Sequence, residues 1–263
     1  MTTPDGPPMF RATGAAYDGF MGRYAVPLAR RFADAAGVAA GHRALDVGCG
    51  PGALTGELVG RLGAAAVAAI DPSPPFVAAC AARHPGVDVR AGRAEAIPHA
   101  DHAFDAALAQ LVLHFVTDAP AAARELRRVV RPGGVIGACV WDFAEGMQML
   151  RVFWDAATAL DPAAPDEAKA LRFGRDGEIA ALFAAAGLRD LVEQVIDVET
   201  TYADFDDLWT GLAAGIGPAG AYCAGLPPAA RDRLRAEVDR RLGAPRARFT
   251  LTARARSVTA RAP

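Results

Sequence analysis

Cysteine is sparse and scattered in this chain. The four residues, at positions 49, 80, 139 and 223, form no CxxC and no Cys/His ligand pattern. Neither a zinc site nor a redox pair is indicated. Cys80 and Cys139 lie in apolar runs, where a thiol reads as a small buried hydrophobe. Lysine is scarcer still: Lys169 is the only one, so the Tyr-x-x-x-Lys pair of many oxidoreductases is absent. Neither charge dominates, with 28 basic against 30 acidic residues and a net charge of −2, which leaves no electrostatic footprint for nucleic acid or an anionic membrane. No apolar run approaches the ~20 residues of a membrane span. The opening MTTPDGPPMFRATG lacks a basic segment followed by an apolar one, so no signal peptide is expected. These absences point to a soluble, cytoplasmic protein.

What is present is globular: 52% hydrophobic and 22% charged residues over 263 positions. Residues 1–14, rich in Pro, Gly and Thr, are expected to be mobile. From Tyr17 to Ala36 apolar and aromatic residues recur at helical spacing, with Pro27 a boundary or kink. Short apolar strands then alternate with helices. Strands are predicted at 44–47, 66–70, 87–91, 104–109 and 135–141, and helices at 53–62, from Ser73-Pro74, and at 118–130. That rhythm indicates βαβ units closing as a doubly wound parallel sheet. Beyond Trp141 it changes. An amphipathic segment precedes DPAAPDEAK, which reads as an exposed loop; a helix at 177–186 and a strand at 191–198 follow. Residues 202–245 read as two or three helices, and 248–259 as a final strand with its arginines outward.

The most informative segment is Asp46-Val47-Gly48-Cys49-Gly50-Pro51-Gly52, between a strand and a helix, where a nucleotide-binding glycine loop belongs. An acidic residue, Asp71, ends the next strand, placed to accept hydrogen bonds from ribose hydroxyls. A pyrophosphate loop reads GxGxxG and avoids nearby negative charge. Here the spacing is GxGxG, with Asp46 just before it.

Five segments in this order, LDVGCGPG (45–52), AIDPS (69–73), AGRAEAIP (91–98), FDAALAQLVLHFV (104–116) and ELRRVVRPGGV (125–135), resemble the class I S-adenosylmethionine (SAM)-dependent methyltransferases. The likeness is greatest to the small-molecule subgroup with ubiquinone/menaquinone-biosynthesis-like and trans-aconitate-like enzymes. It covers about residues 15–141; residues 142–263 match only in layout. The resemblance implies a Rossmann-like α/β fold with a seven-stranded sheet ordered 3-2-1-4-5-7-6, strand 7 antiparallel. It further implies one domain over 15–263, with a SAM-binding core at about 38–141 and helical lids at about 15–37, 143–174 and 202–245. SAM carries a sulfonium and an ammonium and no phosphate, so the carboxylate of Asp46 favours it.

The same resemblance implies roles for individual residues. Gly48, Gly50 and Gly52 would line the methionine and ribose portion, and Asp46 would orient the amino-acid end. Asp71 would hold the ribose hydroxyls, with Pro72 and Ser73 near adenine and Ala94 and Glu95 flanking it. Gln110 would contact the methionine ammonium beside Leu111. Where Arg93 stands, many relatives carry an acid that bonds the adenine amine, and Arg93 has no acceptor for it. Tyr17, Arg23 and Tyr24, in YDxFMGRY, would belong to the lid.

His114, just after strand four, is the candidate base or an orienting residue. Trp141 and Asp142 are expected to point at the acceptor. Phe143, Met147, Met149, Phe153, Trp154 and Trp209 suggest an aromatic pocket, although such stripes often belong to a core. His42, His84, His99 and His102 are expected to face water. No acidic cluster suggests a metal. The expected reaction is methyl transfer from SAM to a small organic acceptor, with S-adenosylhomocysteine as product. The alternatives are an NAD(P)-dependent oxidoreductase and a SAM-binding protein without turnover. The acceptor atom and the oligomeric state, monomer or homodimer, are open.

Overall fold

A computed structural model describes residues 17–263; the expectations for residues 1–16 lie outside the described residues. The sheet contains seven strands: β1 (Ala44–Val47), β2 (Val67–Asp71), β3 (Asp88–Ala91), β4 (Phe104–Gln110), β5 (Val130–Trp141), β6 (Arg189–Tyr202) and β7 (Phe249–Arg261). Their order is β3-β2-β1-β4-β5-β7-β6. β1 to β5 are parallel neighbours, and β7 runs antiparallel to both β5 and β6. Order and direction are those the sequence resemblance implies.

The central strands are mostly apolar because helices cover both faces, with Asp46, Asp71 and Gln110 at or near their carboxyl ends. Every residue of β1 and β2 is buried. One face receives α1 (Arg23–Ala35) and α2 (Ala53–Leu62), through Tyr24, Leu28, Phe32, Leu54 and Leu58. The other receives α4 (Ala119–Val129) and α7 (Glu178–Ala185), through Leu126, Val129, Ile179 and Phe183. Between these in sequence lie α3 (Pro74–Arg83), α5 (Gln148–Leu160) and the single turn α6 (Glu167–Ala170). Three helices, α8 (Phe205–Leu212), α9 (Gly217–Gly225) and α10 (Pro228–Arg241), occupy the stretch before β7. The sheet centre is built from small residues, which lets helices approach closely. A Cβ on Gly137 would come within 3.2 Å of the Phe32 ring.

Several local expectations are corrected. Pro27 neither ends nor begins a helix: α1 runs through it, and the irregularity lies upstream, in a π-helical turn at Asp18–Gly22. Proline's fixed φ is itself helical, so α1 continues through Pro27 with one hydrogen bond fewer. DPAAPDEAK is not an exposed loop throughout. Its Asp166 and Glu167 are buried, and Arg151 of α5 bonds both oxygens of Asp166, at 2.9 and 3.0 Å. The arginines of β7 are not all outward. The Arg256 side chain is only 18% exposed and pairs with Asp142 at 2.9 Å.

The order reverses between β1 and β4, so their connections leave in opposite directions and open a crevice at the carboxyl ends of the strands. The irregular first part of β5, where its register with β4 shifts, tests this packing. A Cβ on Gly134 would lie 2.7 Å from the Asp105 carbonyl oxygen and 2.9 Å from that of Arg131, both backbone atoms. Gly134→Ala is expected to destabilise by about 1–3 kcal/mol in urea unfolding. A change within about 0.5 kcal/mol would mean that the turn relaxes freely.

Candidate active site

A cavity of about 570 Å³ fills the crevice, within the range of small-ligand sites. Its floor is the glycine loop. The N–H groups of Gly48 and Cys49 both donate to the Ile70 carbonyl, at 2.8 and 2.9 Å, pinning the loop to the end of β2. Gly48 has φ +73° and lies where a Cβ would strike Val112 at 2.4 Å, so no larger residue fits. Gly48 and Gly50 line the cavity. Gly52 is absent from its lining: it precedes α2 with φ +101°, and a Cβ there would meet the His84 ring at 2.7 Å. His84 is half-buried, not solvent-facing, and its Nε2 lies 2.9 Å from the Gly52 oxygen. Gly52 is therefore a packing position.

Two carboxyls border the loop. Asp46, 1% exposed, accepts a hydrogen bond of 2.6 Å from the Thr55 hydroxyl. Burial pushes its pKa up to about 7, with Thr55 opposing. Asp71, 6% exposed, accepts N–H bonds from Gly50 at 2.9 Å and Ser73 at 2.8 Å. Burial raises it to about 6, and the two N–H groups resist. Gln110, at the end of β4, donates its Nε2 to the Ala25 carbonyl at 2.9 Å. That bond orients the amide, and the buried Oε1 is left without a hydrogen-bond partner among the described residues.

Beside it Leu111 holds φ +62°, a left-handed conformation that is costly for leucine. Its N–H bonds the Cys139 carbonyl at 2.8 Å. No sequence signal marks that strain.

The far end of the cavity is lined by Pro72, Ser73, Ala94 and Glu95 together with Arg93. Glu95 accepts the Thr117 N–H at 3.1 Å, and Arg93 reaches it at 3.4 Å. Sequence reasoning missed Phe76, Phe115 and Val112, which supply apolar wall. It also missed that two thiols, Cys49 and Cys80, share one small buried cluster, where their mutual influence pushes Cys49 up and Cys80 down.

The expected lid residues separate. Tyr17 lines the cavity and packs edge-on to Phe76, ring centroids 5.7 Å apart. Arg23 and Tyr24 do not line it. Arg23 donates to Asp207 of α8 at 2.9 Å and lies over the Tyr202 ring. Tyr24 is fully buried, accepting a 3.1 Å hydrogen bond from the Tyr202 hydroxyl. Both hold α1 to the insertions.

A second, smaller cavity of about 40 Å³ adjoins the first, sharing Tyr17, Leu111 and Phe115. His114 and Trp141 line this one, as does Phe143. His114 Nδ1 is sealed from solvent without a hydrogen-bond partner among the described residues, and burial pushes the ring down to about 3. Asp142 lines neither cavity, contrary to expectation. Alternation along the chain turns it away from Trp141, onto Arg256 and the Glu145 N–H. Met147, Met149, Phe153 and Trp154 are core, at 1% exposure or less, and Trp209 packs against that core.

Residues 45–138 match a family model described as a methyltransferase domain. A protein of Mycobacterium ulcerans named "Probable phthiotriol/phenolphthiotriol dimycocerosates methyltransferase 2" is 38% identical over 96 residues, 36% of this chain and 37% of that protein. The match thus spans well under half the length of that relative. Among solved structures, the (4+2)-cyclase SpnF aligns over 99% of both chains with 21% identity and a TM-score of 0.58. A phosphoethanolamine N-methyltransferase of Haemonchus contortus, solved with S-adenosylhomocysteine, aligns over 95% of this chain and 57% of its own, with 15% identity and a TM-score of 0.56. The segment that carries the glycine loop, both buried carboxyls and the end of β4 is thus the one that matches the methyltransferase-domain model, and the sheet has the Rossmann-like fold of the aligned methyltransferase structures.

Proposed function

We propose that this chain binds SAM in the 570 Å³ cavity and transfers its methyl group to a small organic acceptor. The observation that carries the reading is the unpartnered Gln110 Oε1, an acceptor aligned by Ala25 and lacking a donor among the described residues. An ammonium is the donor such an atom lacks. Asp46 and Asp71 line the same cavity, an acceptor-rich wall that suits a cation and opposes a pyrophosphate. That wall weighs against the NAD(P) alternative.

In this reading Gln110 and Asp46 hold the amino-acid end. Asp71, fixed by the Gly50 and Ser73 N–H groups, accepts from the ribose hydroxyls through its free lone pairs. Gly48 lets the loop backbone approach closely. Ala94, Glu95, Phe76 and Phe115 enclose the adenine side, where Arg93 replaces the usual acid. SAM, when bound, supplies an electrophilic methyl on a sulfonium with a neutral thioether as leaving group. The protein's share is alignment and exclusion of water, for which effective molarities allow ~7–11 kcal/mol. His114 walls and orients the acceptor side; a ring held neutral down to about pH 3 is too weak a base near pH 7. The segments 17–37, 143–174 and 202–245 form the roof. A small acceptor is favoured over nucleic acid because C-terminal arginines are engaged in ion pairs: Arg240 and Arg241 with Glu237, Arg246 with Asp239, and Arg254 with Asp197.

Calorimetric titration with SAM, S-adenosylhomocysteine and NAD⁺ tests the cofactor. Micromolar binding of the first two is expected. Asp71→Ala should weaken it at least tenfold, since each hydrogen bond to a charged group contributes about 1.5–3 kcal/mol. Binding of NAD⁺ alone would move the oxidoreductase reading to first place.

The two carboxyls also set a pH dependence. Both must be ionised to attract a cation, and their pKa values of about 7 and about 6 lie above the ordinary carboxylate range. Lowering the pH protonates them, so affinity falls as pH drops, by up to about tenfold per unit for each group below its pKa. The dissociation constant of SAM should rise at least tenfold between pH 8 and 5.5. A flat profile would rule out ionised Asp46 and Asp71 as the cation's partners.

A further inference from the structure

The small cavity beside the large one holds an arrangement that methyl-donor binding leaves unused. Its walls are largely aromatic and aliphatic, among them Met21, Phe115, Trp141, Phe143 and Leu150. Two of its lining residues, His114 and Glu167, each carry a buried polar atom without a hydrogen-bond partner among the described residues, Nδ1 and Oε1. Glu167 is 3% exposed, and no arginine or lysine stands among the described residues lining the chamber. Leaving a buried polar atom unpaired costs about 1–3 kcal/mol, more when it is charged. Two such atoms on residues lining one chamber mark a place for a ligand that bonds both.

We propose, resting on the methyltransferase reading above, that this chamber receives the hydroxyl of an uncharged aromatic acceptor, a phenol, and that Glu167 takes its proton. A hydroxyl matches both orphaned atoms: its hydrogen goes to the acceptor-only carboxylate, and its oxygen can accept from an imidazole N–H. An acceptor bearing a carboxylate or phosphate would meet Glu167 with no cation to offset it. The flat ring suits the aromatic walls.

In the step, the phenolic oxygen forms a bond to the methyl carbon while the carbon–sulfur bond breaks, its electron pair staying on sulfur. The hydroxyl proton passes to the Glu167 carboxylate, which later releases it to water. The products are a methyl ether and S-adenosylhomocysteine, and no oxidant or metal is required. Burial places Glu167 at about 7, matched to a base working near neutral pH. The titrating and charged groups around it are Asp166, which raises it, and Arg151, which lowers it, with His114 and Tyr17 across the chamber. The Trp154 indole also favours the charged form, although no hydrogen bond of good geometry joins the two.

The chamber's volume of about 40 Å³ is near that of one water molecule, ~30 Å³, so it fits the hydroxyl end and not a whole ring. The remainder must part the roof. That roof joins Met21 and Phe20, from the π-helical turn, to Ile216–Ala219, a segment with Gly217 at φ +63° next to Gly215 at φ +78°.

The test titrates the full chain, saturated with S-adenosylhomocysteine, with 2-naphthol, 2-naphthoate and naphthalene-2-methylammonium. The neutral naphthol should bind at least tenfold tighter than either ion. Glu167→Gln should keep S-adenosylhomocysteine affinity and an equal or higher melting temperature, because a buried carboxyl is neutralised. Its kcat for naphthol methylation at saturating SAM should fall 10²–10⁴-fold, and the rise of kcat with pH near 7 should disappear while Glu167→Asp retains it. Leu171→Trp, at a half-buried lining position, should block naphthol and spare S-adenosylhomocysteine. Tighter binding of either ion, no naphthol binding, naphthol binding unchanged in Leu171→Trp, or a Glu167→Gln variant with wild-type kcat would each overturn the proposal. Failure of every form to bind S-adenosylhomocysteine would instead overturn the methyltransferase reading beneath it.

Discussion

Two backbone N–H groups, those of Gly48 and Cys49, converge on the single carbonyl of Ile70, and the geometry of the site follows from that convergence. It is available because β1 and β2 pair in parallel with Val47 opposite Ile70, so the chain leaving β1 passes directly over the end of β2. With the loop held there, the Gly50 N–H reaches Asp71, and α2 starts one turn later against His84. β4 flanks β1 on the other side, bringing Gln110 and the strained Leu111 to the same edge. The cavity is the space that remains between connections running to opposite sides.

The floor of that space is expensive. Asp46, Asp71 and the Gln110 carbonyl are all acceptors, all nearly buried, and only partly satisfied by Thr55, Gly50 and Ser73. Burial penalises their charged or unpaired forms, which is why both carboxyls titrate above the ordinary range. A fold selected for stability alone would replace such groups with apolar ones; local conflicts of this kind concentrate at functional sites. A cation brought into the cavity supplies the missing donors and recovers part of the cost.

The sheet is shared with proteins of different chemistry. The aligned structures include both a cyclase and an N-methyltransferase, so the fold by itself does not select a reaction. In this chain the second chamber is walled largely from outside that shared core. The π-helical turn, α5 through Leu150, α6 through Glu167 and the start of α9 each contribute to the second chamber, and each comes from a segment outside the alternating strand–helix core. Arg23 with Asp207 and Tyr24 with Tyr202 tie the first helix to residues far along the chain.

Much of this was legible in order along the chain. Apolar runs of four to seven residues between glycine turns specify buried parallel strands, because a strand covered on both faces has no polar side to show. That the glycine loop, Asp46, Asp71 and Gln110 line one crevice was legible because they fall at the ends of adjacent strands, positions that local pattern locates. Residues whose meaning depends on distant partners were not. Asp142 looked available until Arg256, from the last strand, took its carboxylate. Gly52 looked like a ligand contact until the ring of His84 filled the space where its Cβ would go. Glu167 sat in a stretch rich in proline, alanine and charge that reads as solvent-exposed loop. Only the packing of α5 and the Arg151–Asp166 pair carried it inside. The sequence alone determined the parallel strands, the loop and the acidic strand ends, since periodicity and short-range geometry encode them, while the strand order came with the resemblance. The tertiary structure decided which polar groups are paired and which are left buried without a partner, because that depends on partners 15 to 114 residues away.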